Sequence, residues 1–248
     1  MPPGPGVAAP KMPVLLAEAI ADGIVGRGMR PGDRLPTEAE MVADYVVGRA
    51  TLREALRVLE AQGVVEVRVG AGGGAFVARP DTGRLARMLS LLLRMSDVTL
   101  REVLDARLII EPALAGQAAG RRNDGHVTAV RANQAAIEKA PRGGAEFHRL
   151  NQEFHTLLAD ASQNRPLAAL WSALSTIADG HAAGVRYTPA ALSGMIAAHR
   201  KIVTAIEERD GATAARVMAS HLGAAASYVT RYYPRLLDEQ VTIVPSVP

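Results

Sequence analysis

The sequence predicts a mainly α-helical protein in two parts, a small unit of three helices and a β-hairpin followed by an antiparallel all-helical bundle. Residues 12–78 contain three helical patterns and then two short strand patterns, whereas residues 85–237 have helical spacing of apolar residues almost throughout. Apolar residues make up 48% of the chain and aromatic residues only 4%. The cores must therefore be built mainly from Ala, Leu, Val and Ile, which favours close-packed helices.

The composition excludes several classes of protein. The chain has no cysteine, so a disulfide framework, a thiolate metal site and a cysteine nucleophile are excluded. The N-terminal stretch MPPGPGVAAPK lacks the basic and apolar regions of a secretory signal. The most apolar short segment, MLSLLLRM, is far below the roughly 20 residues that cross a bilayer. We therefore expect a cytoplasmic protein without membrane contact, and its net charge of +3 permits a polyanionic partner.

The first unit follows a tail rich in Pro, Gly and Ala, residues 1–11, which we predict to be disordered. The stretch PVLLAEAIADGIVG predicts the first helix, which ends near Gly26. In the second helix Thr37 is the N-cap and Glu40 follows three residues later, which is the pattern of a capping box. The stretch GRATLREALRVLEAQG predicts the third helix, with Gly63 at its C-terminal end.

A β-hairpin and a linker complete this unit. VVEVRV alternates as a strand, GAGGG predicts a turn, AFVA predicts the returning strand, and residues 79–84 predict a linker. Gly70, Gly72 and Ala75 also match the G-x-G-x-x-A pattern of dinucleotide-binding loops. That fold requires a helix directly after the loop. The sequence that follows is strand-like and then broken by proline, so we interpret the glycines as a hairpin turn.

The third helix has one basic stripe and one apolar stripe. Arg49, Arg53 and Arg57 follow one another at intervals of four residues. The adjacent stripe is apolar and consists of Leu52, Ala55, Leu56 and Leu59. On an isolated helix the arginines would indicate a solvated face. Helix-turn-helix followed by a hairpin wing is, however, a DNA-binding arrangement, and the guanidinium fork suits phosphates and guanine edges.

The stretch PGDRLPTEAEMVADYVVGRATLREALRVLEAQGVVEVRVGAGGGAFV resembles the winged helix-turn-helix domain of the GntR superfamily of bacterial transcription regulators. The resemblance covers nearly all of residues 12–78, with GDRLPTE, LREALRVLEAQG and the glycine-rich wing in the family's order. It implies contact with double-stranded operator DNA. The residues that it implies are Arg49, Thr51 and Arg53 on the third helix, Gly70 where the wing backbone approaches the duplex, and Arg34 and Arg68 as further candidates.

Two positions depart from the family pattern. Gly48 stands where the family usually has Ser or Thr; glycine is an acceptable N-cap but has no hydroxyl for a phosphate contact. Ala39 stands where some relatives have an arginine that reads a base. The operator sequence therefore cannot be transferred from relatives.

The second part, residues 85–237, predicts seven helices joined by short loops that contain Gly, Pro or Asn, and residues 238–248 form a tail. The predicted helices cover residues 85–95, 99–121, 124–140, 145–162, 166–184, 189–209 and 211–233.

Three of the six histidines, His155, His199 and His221, lie mid-helix beside apolar residues on three different helices. A bundle can bring such residues to one point, where neutral imidazoles and an oxygen donor suit a first-row metal. Asn151 lies one turn before His155 on the same face. The alternative is a set of histidines satisfied within the core, and the residues alone leave both open. We place His148 at the solvent edge of this face.

The second part is also similar to a known domain. DARLIIEPALAGQAAGRR, NQEFHTLLADASQN, AAHRKIVTAIEERD and ARVMASHL resemble, in order, the FCD effector-binding domain of FadR-like GntR regulators, from about Leu85 to Tyr232. The resemblance implies a homodimer and a small organic-acid effector. In many members one Asp and three His hold a divalent metal such as Zn²⁺ or Ni²⁺.

Carried onto this chain, the implied metal ligands are Asn151, His155, His199 and His221. Asn151 departs from the family because it takes the position of the Asp, and its carbonyl oxygen can ligate a metal but brings no charge. The uncompensated ion should bind more weakly and attract an anionic effector more strongly. The resemblance also implies that Arg107 pairs with the effector carboxylate. The alternative for Arg107 is a salt bridge with Glu111, four residues further on.

We therefore predict a DNA-binding regulator that senses a small carboxylate through a bound metal and Arg107. We expect a repressor, although the sequence leaves repression and activation both open. One alternative is the same regulator with a metal-free pocket, in which His, Asn and Arg side chains hydrogen-bond the effector. The other is a metal-dependent hydrolase, which would need a general base beside the metal. Glu153 points elsewhere on its helix, and neither an HExxH motif nor a nucleophile elbow is present. We predict that the chain is not an enzyme.

Overall fold

The computed structural model describes residues 11–70, 72–79, 81–177 and 184–240. It divides into two compact units, with the boundary between Arg84 and Leu85. The fold is mainly helical with one two-stranded hairpin, which confirms the predicted fold class. The elements are α1 (Met12–Gly26), α2 (Glu38–Asp44), α3 (Arg49–Gln62), β1 (Val65–Arg68), β2 (Gly74–Val77), α4 (Thr82–Met95), α5 (Leu100–Arg121), α6 (Asp124–Lys139), α7 (Ala145–Ala161), α8 (Arg165–Ile177), α9 (Pro189–Glu207), α10 (Gly211–Tyr232) and α11 (Pro234–Leu237).

Local sequence signals define the helices of the first unit. At the start of α2, Thr37 Oγ1 accepts a hydrogen bond from the Glu40 backbone N–H, and the Glu40 carboxylate accepts one from the Thr37 N–H, so the predicted capping box is confirmed. Helix α3 ends at Gly63, whose φ of +76° lies in the left-handed region that favours glycine. Leu16 and Ile20 of α1 pack in the same core as Leu52 of α3.

The hairpin that follows α3 is antiparallel, with Val65 opposite Val77 and Arg68 opposite Gly74. The Leu35 N–H donates to the Ala75 carbonyl at 2.9 Å, so the segment before α2 also pairs with β2. The glycine run leads directly into a strand and not into a helix. It is therefore a hairpin turn, as predicted, and the dinucleotide-binding alternative is excluded.

Helix α5 is central to the second unit, where it packs against α7, α8, α9 and α10. The core of this unit combines small alanines of α5 with larger residues, including Phe154, Ile202 and Met218. The helix continues through Pro112, although proline lacks the N–H that a helix interior uses. No helix in the described part of the chain combines the length and the apolar character that are needed to cross a bilayer.

Two observations lie close to the predicted boundaries. Helix α4 begins at Thr82, inside the segment predicted as a linker, and the Arg84 N–H donates to the Asp81 carbonyl. Asp238, the first residue of the predicted tail, pairs with Arg101 of α5 at 2.9 Å. Helix α11 was not predicted. The predicted N-terminal tail apart from its last residue, the end of the helix predicted over residues 166–184 and residues 241–248 lie outside the described residues.

Two glycines allow α5 and α10 to approach closely. A Cβ atom added to Gly211, at the start of α10, would lie 2.8 Å from the carbonyl oxygen of Gly116 in α5. A Cβ atom added to Gly116 would lie 3.1 Å from the carbonyl oxygen of Gly211. Both obstacles are backbone atoms, which cannot move aside as a flexible side chain can. The crossing matters for function because α5 and α10 both carry predicted site residues.

We predict that Gly211→Ala lowers the free energy of unfolding by about 1–3 kcal/mol, because the added methyl group forces the two helices apart. Gly223→Ala is the matched control on the same helix. Its Cβ would meet no atom within 4 Å, so the better helix propensity of alanine should stabilise the protein by up to about 1 kcal/mol. Urea unfolding followed by circular dichroism measures both changes. Equal stabilities for the two variants would contradict the close crossing.

Candidate functional site

Three helices of the second unit bring the predicted histidines together. Helix α7 carries His155, α9 carries His199 and α10 carries His221, and each side chain is at most 7% exposed. Each histidine lies on the face of its helix that packs into the main core of the unit. Burial of those apolar faces therefore buries the imidazoles as well.

The three imidazoles face one another. The Nε2 atoms of His199 and His221 are 3.3 Å apart, and the ring centroid of His155 lies 5.5 Å from those of both other rings. One nitrogen from each ring can be chosen so that all three atoms lie within 4.8 Å of one another. Two nitrogens that bind one ion at about 2.1 Å would be roughly 3.0–3.4 Å apart. The His199–His221 spacing thus fits two ligands of a shared metal ion.

Three buried polar atoms at this cluster have no hydrogen-bond partner among the described residues. They are Nδ1 of His155, Oδ1 of Asn151, one turn before His155 on α7, and Nδ1 of His199. The His199 ring stacks on Phe154 with a centroid distance of 3.9 Å, so an apolar group covers one of its faces. An unsatisfied buried polar atom costs about 1–3 kcal/mol. The Asn151 oxygen in particular fits a site that is completed by a bound group.

Glu111 of α5 is a site residue that the sequence interpretation missed. Its side chain is buried, and its two oxygens contact two predicted site residues. Oε1 accepts from Nε of Arg107 at 2.5 Å, and Oε2 lies 2.5 Å from Nδ1 of His155, in ion-pair contact and not in an aligned hydrogen bond. The available signal was a single carboxylate in the apolar stretch LIIEPAL, because a buried carboxylate requires partners.

Glu111 is ionised in this environment. Burial by itself would raise the pKa of the Glu111 carboxyl, but Arg107 and then His155 act in the opposite direction, and the net pKa lies well below the usual 4.5. Arg107 is thus paired with Glu111, which was the alternative considered for it, and it also lines a cavity next to the histidines. Arg107 can pair with Glu111 and also present donors to the cavity, because the guanidinium has five N–H donors.

The imidazoles of His199 and His221 are neutral at pH 7. Burial lowers the pKa of His199 well below 6.5, and the neighbouring His221 and His155 lower it further. Burial and then His155 lower the pKa of His221 to about 3, although Glu111 acts to raise it. Both rings therefore keep a free lone pair at neutral pH, which is the form that binds a metal.

A cavity of about 80 Å³ lies beside the cluster. His199 contacts His221 but does not line this cavity. His148, which was predicted at the solvent edge, is half-buried and does line it. The polar and aromatic lining residues include Arg107, His148, Asn151, His155, Trp171 and His221. A larger space of about 970 Å³ is an open groove between α9 and α10, and of the three histidines only His221 lines it.

The exposed face of α3 carries the other predicted site. Leu52, Ala55, Leu56 and Leu59 are buried, so the helix is anchored through the predicted apolar stripe. The arginine stripe is exposed on the same helix. Arg53 pairs with Glu38 of α2 at 3.1 Å and Arg57 pairs with Glu54 at 3.1 Å. Within the described residues no ion pair involves Arg49, and Thr51 is half-buried one turn before Ala55.

The predicted wing residues have contacts within their own unit. Arg34 Nη2 donates to the Gly73 carbonyl at 2.7 Å and thereby supports the hairpin turn. Arg68 pairs with Glu66 at 3.2 Å, and its guanidinium lies 4.3 Å from the centroid of the Phe76 ring. Gly70 has a φ of +101°, which side chains rarely adopt. The turn therefore requires glycine at this position whether or not DNA approaches it.

Comparison with known protein families assigns both units. The model of the gntR family of bacterial regulatory proteins matches residues 15–77, and the FCD domain model matches residues 102–224. The chain belongs to the GntR family of regulators with an FCD domain. The GntR match contains all the predicted DNA-binding residues, and the FCD match contains both the histidine cluster and Glu111.

Individual GntR regulators are similar over most of their length. HTH-type transcriptional regulator LutR of Bacillus subtilis is 25% identical over 83% of this chain and 95% of its own. HTH-type transcriptional repressor NanR of Citrobacter rodentium is 28% identical over 89% of this chain and 86% of its own. The structure of Streptococcus agalactiae GntR superposes with a TM-score of 0.68 at 26% identity and covers 87% of this chain and 99% of its own.

These matches confirm that the chain is a DNA-binding transcription regulator and not an enzyme, because both domain families and the named relatives are transcription regulators. The GntR domain implies binding to DNA, and the FCD domain implies a small-molecule effector.

The buried histidines predict how the stability of the metal-free protein depends on pH. The unfolded chain takes up protons at its imidazoles near pH 6.5, whereas the lowered pKa values keep His199 and His221 neutral in the folded domain. Stability should thus be complete above pH 6.5 and should decrease as the pH falls toward 3. Between pH 7 and pH 5 we expect a loss of about 1–2 kcal/mol for each histidine.

Urea unfolding of chelator-treated protein at pH 7 and at pH 5 measures this loss. His221→Leu removes one of the two groups and should reduce the loss by about half. His126→Gln, at the half-exposed first turn of α6, should leave the loss unchanged. An unfolding free energy that is the same at pH 7 and pH 5 would show that the cluster is not buried as described.

Proposed function

We propose that the chain is a homodimeric repressor whose operator affinity changes when a small carboxylate enters the FCD domain, and that a divalent metal, Zn²⁺ or Ni²⁺, prepares that site. The observation that carries this proposal is the convergence of three buried histidines and the unpartnered Asn151 oxygen beside a cavity that Arg107 also lines. NanR, a relative similar over most of the chain, bears the word repressor in its name, which supports that part of the proposal.

The DNA-binding half of the proposal assigns α3 to the major groove. Arg49, Thr51 and Arg53 lie at the N-terminal end of this helix, where recognition helices contact base edges. The Arg53–Glu38 pair is exposed, and such pairs contribute only about 0–1 kcal/mol, so a phosphate can displace Glu38 at little cost. Two copies in a homodimer would bind a palindromic operator with half-sites about 34 Å apart.

The donor set at the histidine cluster fits a transition metal. His155, His199 and His221 would bind it through ring nitrogens and Asn151 through its carbonyl oxygen, a combination that Zn²⁺ and Ni²⁺ accept. When bound, the ion supplies positive charge and open coordination positions. The chain contributes preorganised neutral imidazoles, because the low pKa values of His199 and His221 spare the metal from competition with protons at pH 7.

The charges at the site favour an anionic effector. None of the four proposed ligands brings a negative charge, so the direct ligands leave the charge of a divalent ion uncompensated. Arg107 adds guanidinium donors at the cavity wall, and such donors bind carboxylates through paired hydrogen bonds. The cavity of about 80 Å³ is small, so it suits a small carboxylate.

Regulation requires that the effector stabilise one arrangement of the regulator more than another. Helices α5, α7 and α10 would all contact the effector through Arg107, Asn151 and His221. An effector that draws these three helices together would change their packing within the FCD domain. If the two arrangements differ in operator affinity, the effector and the operator affect each other's binding by the same factor.

A metal-free pocket is the second candidate, and one observation favours it. The 3.3 Å separation of the His199 and His221 Nε2 atoms is also within hydrogen-bond distance, so the two neutral rings can satisfy each other without an ion. Arg107, Asn151 and His155 would then bind the effector directly. The DNA-binding half of the proposal is the same in both cases.

We predict that purified wild-type protein binds one Zn²⁺ or Ni²⁺ per chain and that His155→Gln does not. Elemental analysis after dialysis measures the metal, and His126→Gln is the matched control because this histidine lies on α6, outside the cluster. Trp171 is the only tryptophan and lines the cavity, so its fluorescence reports occupancy. Acetate, lactate, pyruvate and succinate serve as probes, and at least one should change the emission of metal-loaded protein. No bound metal, together with an emission change in metal-free protein, would favour the metal-free pocket.

We predict that Arg49→Ala and Arg53→Ala each weaken binding to the promoter region of the protein's own operon by about 5- to 150-fold, since a base contact of this kind contributes about 1–3 kcal/mol. Fluorescence anisotropy at two salt concentrations measures the affinities. Arg149→Ala, an equal change of charge at an exposed position of α7, is the control. Absence of specific binding by the wild type at low salt, or equal losses in all three variants, would contradict the assignment of α3.

A further inference from the structure

The proposed metal centre lacks a negative charge among its direct ligands. His155, His199 and His221 are imidazoles, and Asn151 is an amide where an aspartate would bring a carboxylate. A divalent ion in a buried site is costly unless a nearby group compensates its charge. Among the described residues Glu111 is the only buried carboxylate, and it lies in contact with this cluster.

Glu111 is placed to act through His155. Its Oε2 atom lies 2.5 Å from Nδ1 of His155, so Nε2 is the nitrogen of that ring left for a metal. Histidines that bind metals commonly have a carboxylate behind the ring, which fixes the tautomer and makes the ring a stronger donor. The other oxygen of Glu111 holds Nε of Arg107, the proposed effector ligand.

We propose that Glu111 is a positioning residue that supplies, through His155, the negative charge that Asn151 does not bring, and that it also holds Arg107 in place for the effector. This inference rests on the proposed function, because it requires a metal centre. One carboxylate then serves both binding events. Its loss weakens the metal site and, in the same step, frees the guanidinium that the effector needs in a fixed position.

The test is the affinity of the full-length protein for Zn²⁺, measured at constant pH by competition with a chromophoric chelator. Glu111→Gln keeps the shape of the side chain and removes its charge, and we expect a 10- to 100-fold weaker affinity. The matched control is Glu207→Gln, which removes a carboxylate that pairs with Arg131 at 2.8 Å, away from the cluster. This control should bind Zn²⁺ like the wild type.

A second substitution separates the effect of charge from a general loss of structure. Asn151→Asp added to Glu111→Gln restores one negative charge at the centre, and we expect most of the lost affinity to return. A purely structural defect would not be repaired in this way. If Glu111→Gln alone does not fold, the double variant Arg107→Met with Glu111→Gln replaces it, because this variant leaves no buried charge without a partner. Its Zn²⁺ affinity is then measured with Asn151 and with Asn151→Asp.

A folded Glu111→Gln protein that binds Zn²⁺ within twofold of the wild type would overturn the inference, as would a failure of Asn151→Asp to restore affinity. A wild-type protein that binds no Zn²⁺ or Ni²⁺ gives a different result, because it overturns the metal half of the proposed function before any variant is compared.

Discussion

The ionised carboxylate of Glu111, buried between Arg107 and His155, is the constraint on which the site depends. A buried charge that loses its partner destabilises a protein by about 3–5 kcal/mol, so α5 and α7 must pack in the register that keeps Glu111 beside His155. Arg107 lies four residues before Glu111, so α5 alone places that partner. That register turns the His155 ring toward His199 and His221. The close crossing of α5 and α10 at Gly116 and Gly211 holds α10, which carries His221, against α5.

Much of the fold could be predicted because it depends on local chemistry. The capping box at Thr37 and Glu40 and the left-handed glycine at Gly63 are decided by residues within one turn of each other. The helical spacing of apolar residues likewise predicted the buried stripe of α3 and the seven long helices of the second unit. The candidate ligands could be named because each histidine lies on an apolar helix face, where solvation cannot satisfy it.

The contacts between distant segments could not be predicted from the same patterns. Glu111 and His155 are 44 residues apart and meet only because α5 packs against α7. Helical spacing predicts which face a residue occupies, but it does not predict which residue of another helix lies opposite. Arg107 illustrates the limit, since the sequence offered Glu111 and the pocket as alternatives and the structure places it in contact with both. The pairing of Arg53 with Glu38 across two helices was missed for the same reason.

The chain joins a DNA-binding GntR unit, which the family comparison establishes, to an FCD domain in which the geometry of the buried histidines supports the proposed sensor centre. X-ray absorption spectroscopy at the zinc edge of Zn²⁺-loaded full-length protein tests that centre most directly, because the ligand shell reveals which side chains hold the ion. We predict three imidazole ligands with Zn–N distances of about 2.0–2.1 Å together with oxygen ligands. A shell with one imidazole or none would contradict it.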